Sequence, residues 1–341
     1  MARREIIPEP PNAGEPATIG VLERNRTVLA RAARIVRAAS AMLAVAVDDE
    51  PAGLRAQLSP ETRLLICHGD DLDLALEWCA TKYPAARVVT WSAGPMDPLI
   101  DAAQRHPQVT SVLGWASFQS MPRPWEIALA VRHVIAAKHE PLHVTELFSG
   151  GPVATKYKPR TSDERDAITA ELARLAERIG APARITAKIS EVAHELLMNA
   201  MYDAPVNHYG EPRYAHDRRA TVALDDHEVP TARFATDGNL IAVQVADPFG
   251  RLTRGHVLTG IRRGQRAASA ADPNGIIDAS QGGAGLGLWK IYAGSAATIV
   301  DIIPGHTTSV TAVFDLDVGP REVRTMPPSL HLFDRRELDG A

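Results

Sequence analysis

Two stretches decide how this chain is read: EVAHELLMNAMYDAP at 191–205 and GGAGLGLWKIY at 282–292. In the first, Ile189, Val192, Leu196 and Ala200 recur at helical spacing, predicting an amphipathic helix over 185–202. Glu195, Asn199 and Asp203 stand at i, i+4 and i+8, so they run along one side of that helix beside the apolar stripe. A carboxylate and an amide at a helix–core boundary are the groups a metal–phosphate pocket would need. The second stretch places four glycines in six residues ahead of an apolar helix, 286–292. Backbone N–H groups there could approach a phosphate at the helix N-terminus. Between the two lies Asp247, closing the apolar run LIAVQVA at 240–246. Taken singly, a Glu–Asn–Asp stripe is ordinarily a solvated face, a glycine cluster a turn, and an Asp before Pro a turn residue. Their order along one chain is what points to a nucleotide.

Length and composition set the frame. At 341 residues the chain has room for about two domains. An apolar content of 45% with 23% charged residues is that of an ordinary globular protein. A net charge of −4 leaves no basic footprint, so nucleic acid is not an expected partner. Cys67 and Cys79 lack metal-ligand spacing and fit a reducing compartment. No apolar run is long enough to span a bilayer, and MARREIIPEPPNAGEP at 1–16 is charged and proline-rich where a signal peptide would be apolar. A cytoplasmic protein without a membrane partner is expected, with 1–16 as a disordered lead.

From 17 to 139 apolar runs alternate with helical patterns. ATIGVLE (17–23), MLAVAV (42–47), RLLICH (63–68), RVVTW (87–91) and VTSVLGW (109–115) read as strands. Helices are expected through Val28, Ala32, Ile35 and Ala39, and over 72–82, 98–105 and 125–138. That alternation predicts a doubly wound α/β domain with a parallel sheet. The pattern resembles the receiver domain of bacterial response regulators. Working receivers carry acidic residues after the first strand, an aspartate ending the third and a lysine ending the fifth. Here the first position offers Glu23 beside Leu22, the third strand ends at His68 with Asp70 and Asp71 later, and the fifth reaches Gly114 and Trp115 without a lysine. An incomplete acidic pocket would bind Mg²⁺ poorly. A pseudo-receiver serving docking or dimerisation is therefore expected, with His68 as phospho-acceptor the alternative.

A linker is expected over 140–160, around Ser149-Gly150-Gly151-Pro152, with VATKY (153–157) as an edge strand. Thr161 and Glu164 form a capping-box start, and Ile168, Leu172, Leu175 and Ile179 give the helix that follows. ATVAL (220–224) reads as a strand. Asp237-Gly238 marks a hairpin between TARFAT (231–236) and the 240–246 run. A helix over 253–262 and a mobile loop over 263–281 come next. ATIVDII (297–303) and SVTAVFDLD (309–317) make a last hairpin around Pro304-Gly305. The rest, 318–341, is a tail whose apolar island Leu330–Phe333 reads as a docking segment.

Over 161–317 this order resembles the Bergerat-fold (GHKL) ATPases, which include sensor histidine kinases, anti-sigma-factor serine kinases, gyrase and MutL-type proteins. HELLMNAMYDAP looks like their N box, Asp247-Pro248-Phe249-Gly250 their first glycine box, and GGAGLGL their second. The resemblance implies an α/β sandwich with a mixed sheet, holding ATP and Mg²⁺. Asn199 would ligate the metal, and Glu195 would orient or deprotonate the attacking hydroxyl or water. Asp247 would accept the adenine amino group, favouring ATP over GTP. Phe249 would pack beneath the base beside Gly250. Gly282, Gly283, Gly285, Leu286 and Gly287 would fold over the triphosphate. Asp203 stands near the phosphates where relatives often carry a basic residue. The layout is similar to the anti-sigma-factor serine kinases, because 140–160 leaves no room for a phospho-acceptor helix pair. It implies a signalling ATPase that phosphorylates Ser or Thr of a protein partner, or sequesters that partner according to nucleotide state; a homodimer, formed through the receiver-like domain, is one further option. The alternatives are an ATP-binding scaffold without catalysis, and a histidine kinase acting on a phospho-acceptor in trans.

Overall fold

The computed structural model describes residues 18–40, 43–115, 123–136, 141–148, 150–270, 286–319 and 326–335. The expected lead at 1–16 lies outside these residues, as do Gly282, Gly283 and Gly285. The chain divides into two compact units between Ala137 and Lys138.

The first unit runs β1 (Ile19–Leu22), α1 (Arg26–Ala39), β2 (Val45–Asp48), α2 (Pro51–Gln57), β3 (Leu64–His68), α3 (Leu72–Thr81), β4 (Arg87–Ser92), α4 (Asp97–Arg105), β5 (Val109–Gly114) and α5 (Pro124–Ala136). Its strands pair in parallel in the order β2-β1-β3-β4-β5, with Ile19 opposite both Val45 and Leu64. That is the doubly wound arrangement, in which both sheet faces are covered. The strands are accordingly unbroken apolar runs, β1 being buried at all four positions. Helix α1 starts where Asn25 accepts from the N–H groups of Thr27 and Val28. Its stripe of Val28, Ala32 and Val36 joins Ile66, Val89, Trp91, Leu113 and Ile127 in one core. Helix α2 has seven residues and a single buried apolar one, Leu54, too few for a legible period.

The second unit runs β6 (Val153–Tyr157), α6 (Ser162–Arg178), α7 (Ala183–Met198), β7 (Thr231–Thr236), β8 (Leu240–Asp247), α8 (Arg254–Ala270), α9 (Leu286–Gly294), β9 (Ala297–Ile303), β10 (Thr307–Asp315) and β11 (Ser329–Asp334). The sheet order is β11-β9-β10-β8-β7-β6. All neighbours are antiparallel except β11, which pairs in parallel with β9, so this sheet is mixed. Thr161 caps α6 through the N–H of Glu164, whose carboxylate accepts from the N–H of Arg160. α6 packs on α7 through Ile168, Leu172 and Leu175. The protein is thus α/β in both units, as the sequence predicts.

Four expectations change in detail. The island Leu330–Phe333 is not a free docking segment: it forms β11, every residue of which is buried. The loop expected over 263–281 is helical to Ala270, because the small residues after Arg263 continue α8. ATVAL makes only an isolated bridge, Thr161 to Ala223, although Val222 and Leu224 are buried. Within the expected linker, Leu142 is fastened to the second unit: its N–H donates to Asp301 Oδ2 at 3.0 Å and its carbonyl accepts from Gln244 Nε2 at 2.8 Å. Among the described residues no helix is long and apolar enough to cross a membrane.

Candidate functional site

In the first unit, the two carboxylates nearest the receiver positions are already engaged. Glu23 is buried, with Oε2 accepting from the Trp91 indole N–H at 2.9 Å and Oε1 from the Asn25 N–H at 2.8 Å. Asp71 is buried too, and the Arg24 guanidinium grips both its oxygens, at 2.6 and 3.2 Å. His68 caps the short turn after β3, its Nδ1 accepting from the Asp70 N–H at 3.2 Å. A hard divalent ion needs carboxylate oxygens that no other cation holds. Incubation with Mg²⁺ and a small phosphoryl donor such as acetyl phosphate should leave the first unit unlabelled, as read by phosphate-affinity gel or intact mass. Label on His68 or Asp70 would overturn that expectation.

In the second unit, α7 does not end at Met198. It continues as a π turn over Asn199–Asp203, in which the Ala204 N–H reaches the Asn199 carbonyl at 3.0 Å. Such wide turns gather at functional positions. Beside this turn opens a cavity of ≈ 580 Å³, within the range of small-molecule and cofactor sites. Asn199 and Asp203 line it from α7, Asp247 from the end of β8, Thr308 and Val310 from β10, and Leu288 from α9. Leu196, Ala200, Val245, Val310 and Leu288 make apolar walls suited to a flat ring. Arg251, His256 and Arg263 bring basic groups.

Asp247 is the buried acid of this cavity, 9% exposed. Burial pushes its carboxyl up to about 6, while the N–H groups of Phe249 and Gly250 act in the opposite sense. The Phe249 N–H donates to Asp247 Oδ1 at 2.9 Å, so Phe249 acts here through its backbone, and its ring is not part of the cavity wall. Gly250 turns with φ +61°, and a Cβ there would lie 2.2 Å from the Ile303 carbonyl oxygen. Only glycine meets both demands.

Glu195 does not open on the cavity. Its residue is 7% exposed, and it faces α9, where a Cβ on Gly287 would come within 2.7 Å of Oε2. Gly287 is therefore what lets the second motif's helix lie against the first. Lys290, one turn further along α9, donates to Glu195 Oε1 at 2.8 Å. Arg218, from the polar segment after α7, completes the arrangement. It forms an ion pair with Asp203, donates to Asn199 Oδ1 at 3.4 Å, and brings Nη1 to 3.8 Å from Glu195 Oε2. The Asp203 carboxyl is held above the usual carboxylate range because burial outweighs the Arg218 charge.

Of the expected site residues, the structure brings Asn199, Asp203 and Asp247 to one cavity. It sets Glu195, Leu286 and Gly287 on the abutting helices α7 and α9. The other three glycines lie outside the described residues. Sequence reasoning missed Arg218 and Lys290. Lys290 follows Gly287 at i+3 and so faces the same helix, a signal that was available. Arg218 sits in a turn-rich segment with no period to mark it. Among the described residues no group of three His, Cys, Asp or Glu is placed to hold a metal ion.

No protein-family model matches this chain, and no curated protein matches it. Among solved structures, the chain is similar to one in the SiaB-SiaC complex from Pseudomonas aeruginosa. Identity is 19% over 47% of this chain and 88% of that one, with a TM-score of 0.31. A likeness that slight carries no weight for function.

Proposed function

We propose that the second unit binds an adenine nucleotide in the Asp247–Asn199 cavity, in the manner of the GHKL ATPases, and holds a protein partner according to nucleotide state. The observation that carries this reading is a buried carboxylate, Asp247, in one apolar-walled cavity with the Asn199 amide, Arg251 and Arg263. Asp247 accepts the adenine amino group there and repels the guanine carbonyl oxygen. The aliphatic walls take the ring, and Asn199, with Arg218 bonded to its Oδ1, faces the phosphates. Arg251 and Arg263 add positive charge.

Mg²⁺, expected from the resemblance, does not fit the donor set as it stands. Asn199 Oδ1 and Asp203 are bonded to Arg218, and Glu195 to Lys290. Two carboxylates face two cations, leaving no surplus negative charge for a divalent ion. The phosphate end of the cavity is therefore served by side-chain cations.

Holding a partner is favoured over phosphorylating it because Glu195 lies off the cavity with Lys290 on Oε1 and Arg218 beside Oε2, which makes it a poor base. The second reading, phosphoryl transfer to Ser or Thr of the partner, rests on Glu195 standing one turn before Asn199. Equilibrium dialysis with ATP, followed by incubation of labelled ATP with wild type and Glu195→Ala in lysate, separates the two. ATP retention by both proteins without protein labelling is the expected result. Labelling that disappears in Glu195→Ala establishes the kinase reading instead. Absence of ATP retention by either protein removes the nucleotide proposal.

A further inference from the structure

We propose that Arg218 takes the place of the divalent cation, so that this pocket receives the phosphates of its nucleotide without a metal. The inference rests on the nucleotide reading above and specifies how the phosphate end of the site is built. Three groups on one side of α7 and its π turn would ordinarily offer oxygens to a hard ion: Glu195, Asn199 and Asp203. All three are met by one guanidinium. Arg218 Nη2 pairs with Asp203 and donates to Asn199 Oδ1 at 3.4 Å, and Nη1 lies 3.8 Å from Glu195 Oε2.

A guanidinium has five N–H donors in a planar fork, is charged at every accessible pH, and suits phosphate as well as carboxylate. Its partners Asn199 and Asp203 both line the cavity, so its charge stands directly behind the wall that would face a phosphate. The Arg218 side chain is 26% exposed, so its charge is only partly screened by water. Lys290 holds the remaining Glu195 oxygen at 2.8 Å, and Arg218 holds one oxygen of Asp203, whose Oδ1 is buried without a hydrogen-bond partner.

The test compares wild type, Arg218→Ala and Arg218→Lys in two assays. In the first, ATP affinity is measured by calorimetry in EDTA and in Mg²⁺. Wild type is expected to differ by less than about threefold between the two buffers, because no metal contact exists to be lost. Arg218→Ala is expected to weaken by about tenfold or more in EDTA and to recover with Mg²⁺, the metal filling the vacated place. Arg218→Lys, a point charge without the fork, should fall between them. In the second assay, Mn²⁺ alone is titrated without nucleotide and followed by electron paramagnetic resonance. Binding should appear in Arg218→Ala and be absent in wild type. An ATP affinity in wild type that falls tenfold or more in EDTA overturns the inference, as does Mn²⁺ bound by wild type. If wild type takes no ATP in either buffer, the nucleotide reading fails, and the Mn²⁺ titration still decides whether Arg218 occupies a cation's position.

Discussion

Asp247→Asn is expected to raise the melting temperature of the ligand-free chain at pH 7 while weakening its hold on ATP. The Asp247 carboxyl is pushed up to about 6 by burial, from an ordinary value of 3.8. Its proton is thus held more tightly in the folded chain than in the unfolded one. Stability from this group is fully present below the unfolded value and is lost as pH rises through the folded one. At pH 7 the buried charge costs about 3 kcal/mol, since each tenfold gain in proton affinity on folding corresponds to about 1.4 kcal/mol. The amide keeps an oxygen for the Phe249 N–H, but its NH₂ replaces an oxygen approached by the Gly250 and Thr308 donors, so at most about half of that is recovered. The expected rise is about 3–6 °C, read by calorimetry. The pH dependence supplies the check. Between about pH 4 and 6 the variant should lack the decline in stability that wild type shows as pH rises. ATP affinity should drop by about 30- to 100-fold, because a charged acceptor for the adenine amino group is lost. Discrimination against GTP should shrink with it, since an amide can donate to the guanine carbonyl. A variant that binds ATP as wild type does would remove Asp247 from the base-reading role.

Gly250→Ala is expected to be strongly destabilising. The added carbon would lie 2.2 Å from the Ile303 oxygen and 2.7 Å from the N–H nitrogens of Gly305 and His306, at φ +61°. All three neighbours are backbone in the β9–β10 turn, so no flexible side chain can give way. A cost of about 3–5 kcal/mol follows, from left-handed strain together with forced displacement of the hairpin. Gly238→Ala is the control. Gly238 has φ +95° and nothing within 4 Å of a Cβ, so strain acts there alone and about 1 kcal/mol is expected. Urea unfolding of the two variants measures the difference. Equal losses would mean that contact with the β9–β10 turn contributes nothing.

The sequence made visible the features that repeat or punctuate. Strand–helix alternation from β1 to α5, the Asp237-Gly238 turn and the stripe along α7 all follow from local pattern, and the structure shows each of them. The expected strand at 220–224 failed because Val222 and Leu224 are buried against Met198, Met201 and Tyr202 without strand partners. Burial alone imitates alternation. β11 was hidden for the opposite reason: Leu330–Phe333 looks unpartnered until β9, some thirty residues earlier, supplies the ladder. The candidate site divided in the same way. Asn199 and Asp247 could be placed from motif order, whereas Arg218 reaches Asp203 from a segment whose path no periodicity constrains. Ion pairs between a helix and an irregular loop leave no trace in spacing.

The π turn at Asn199–Asp203 also governs which changes of length this chain can survive. Such a turn holds one residue more than the α turn it replaces. Deleting Ala200 or Met201 would let the backbone close to ordinary pitch, so helix content would hardly change. Everything beyond would keep nearly its present place about the axis, because the wide turn already absorbs the extra residue, and Asp203 would stay close to the flank it shares with Asn199. Exchange of Ala200 for another small residue keeps that flank intact. Any relative with a regular helix here will be out of step by one position after its asparagine, so residues beyond that point must be matched in space, not by counting.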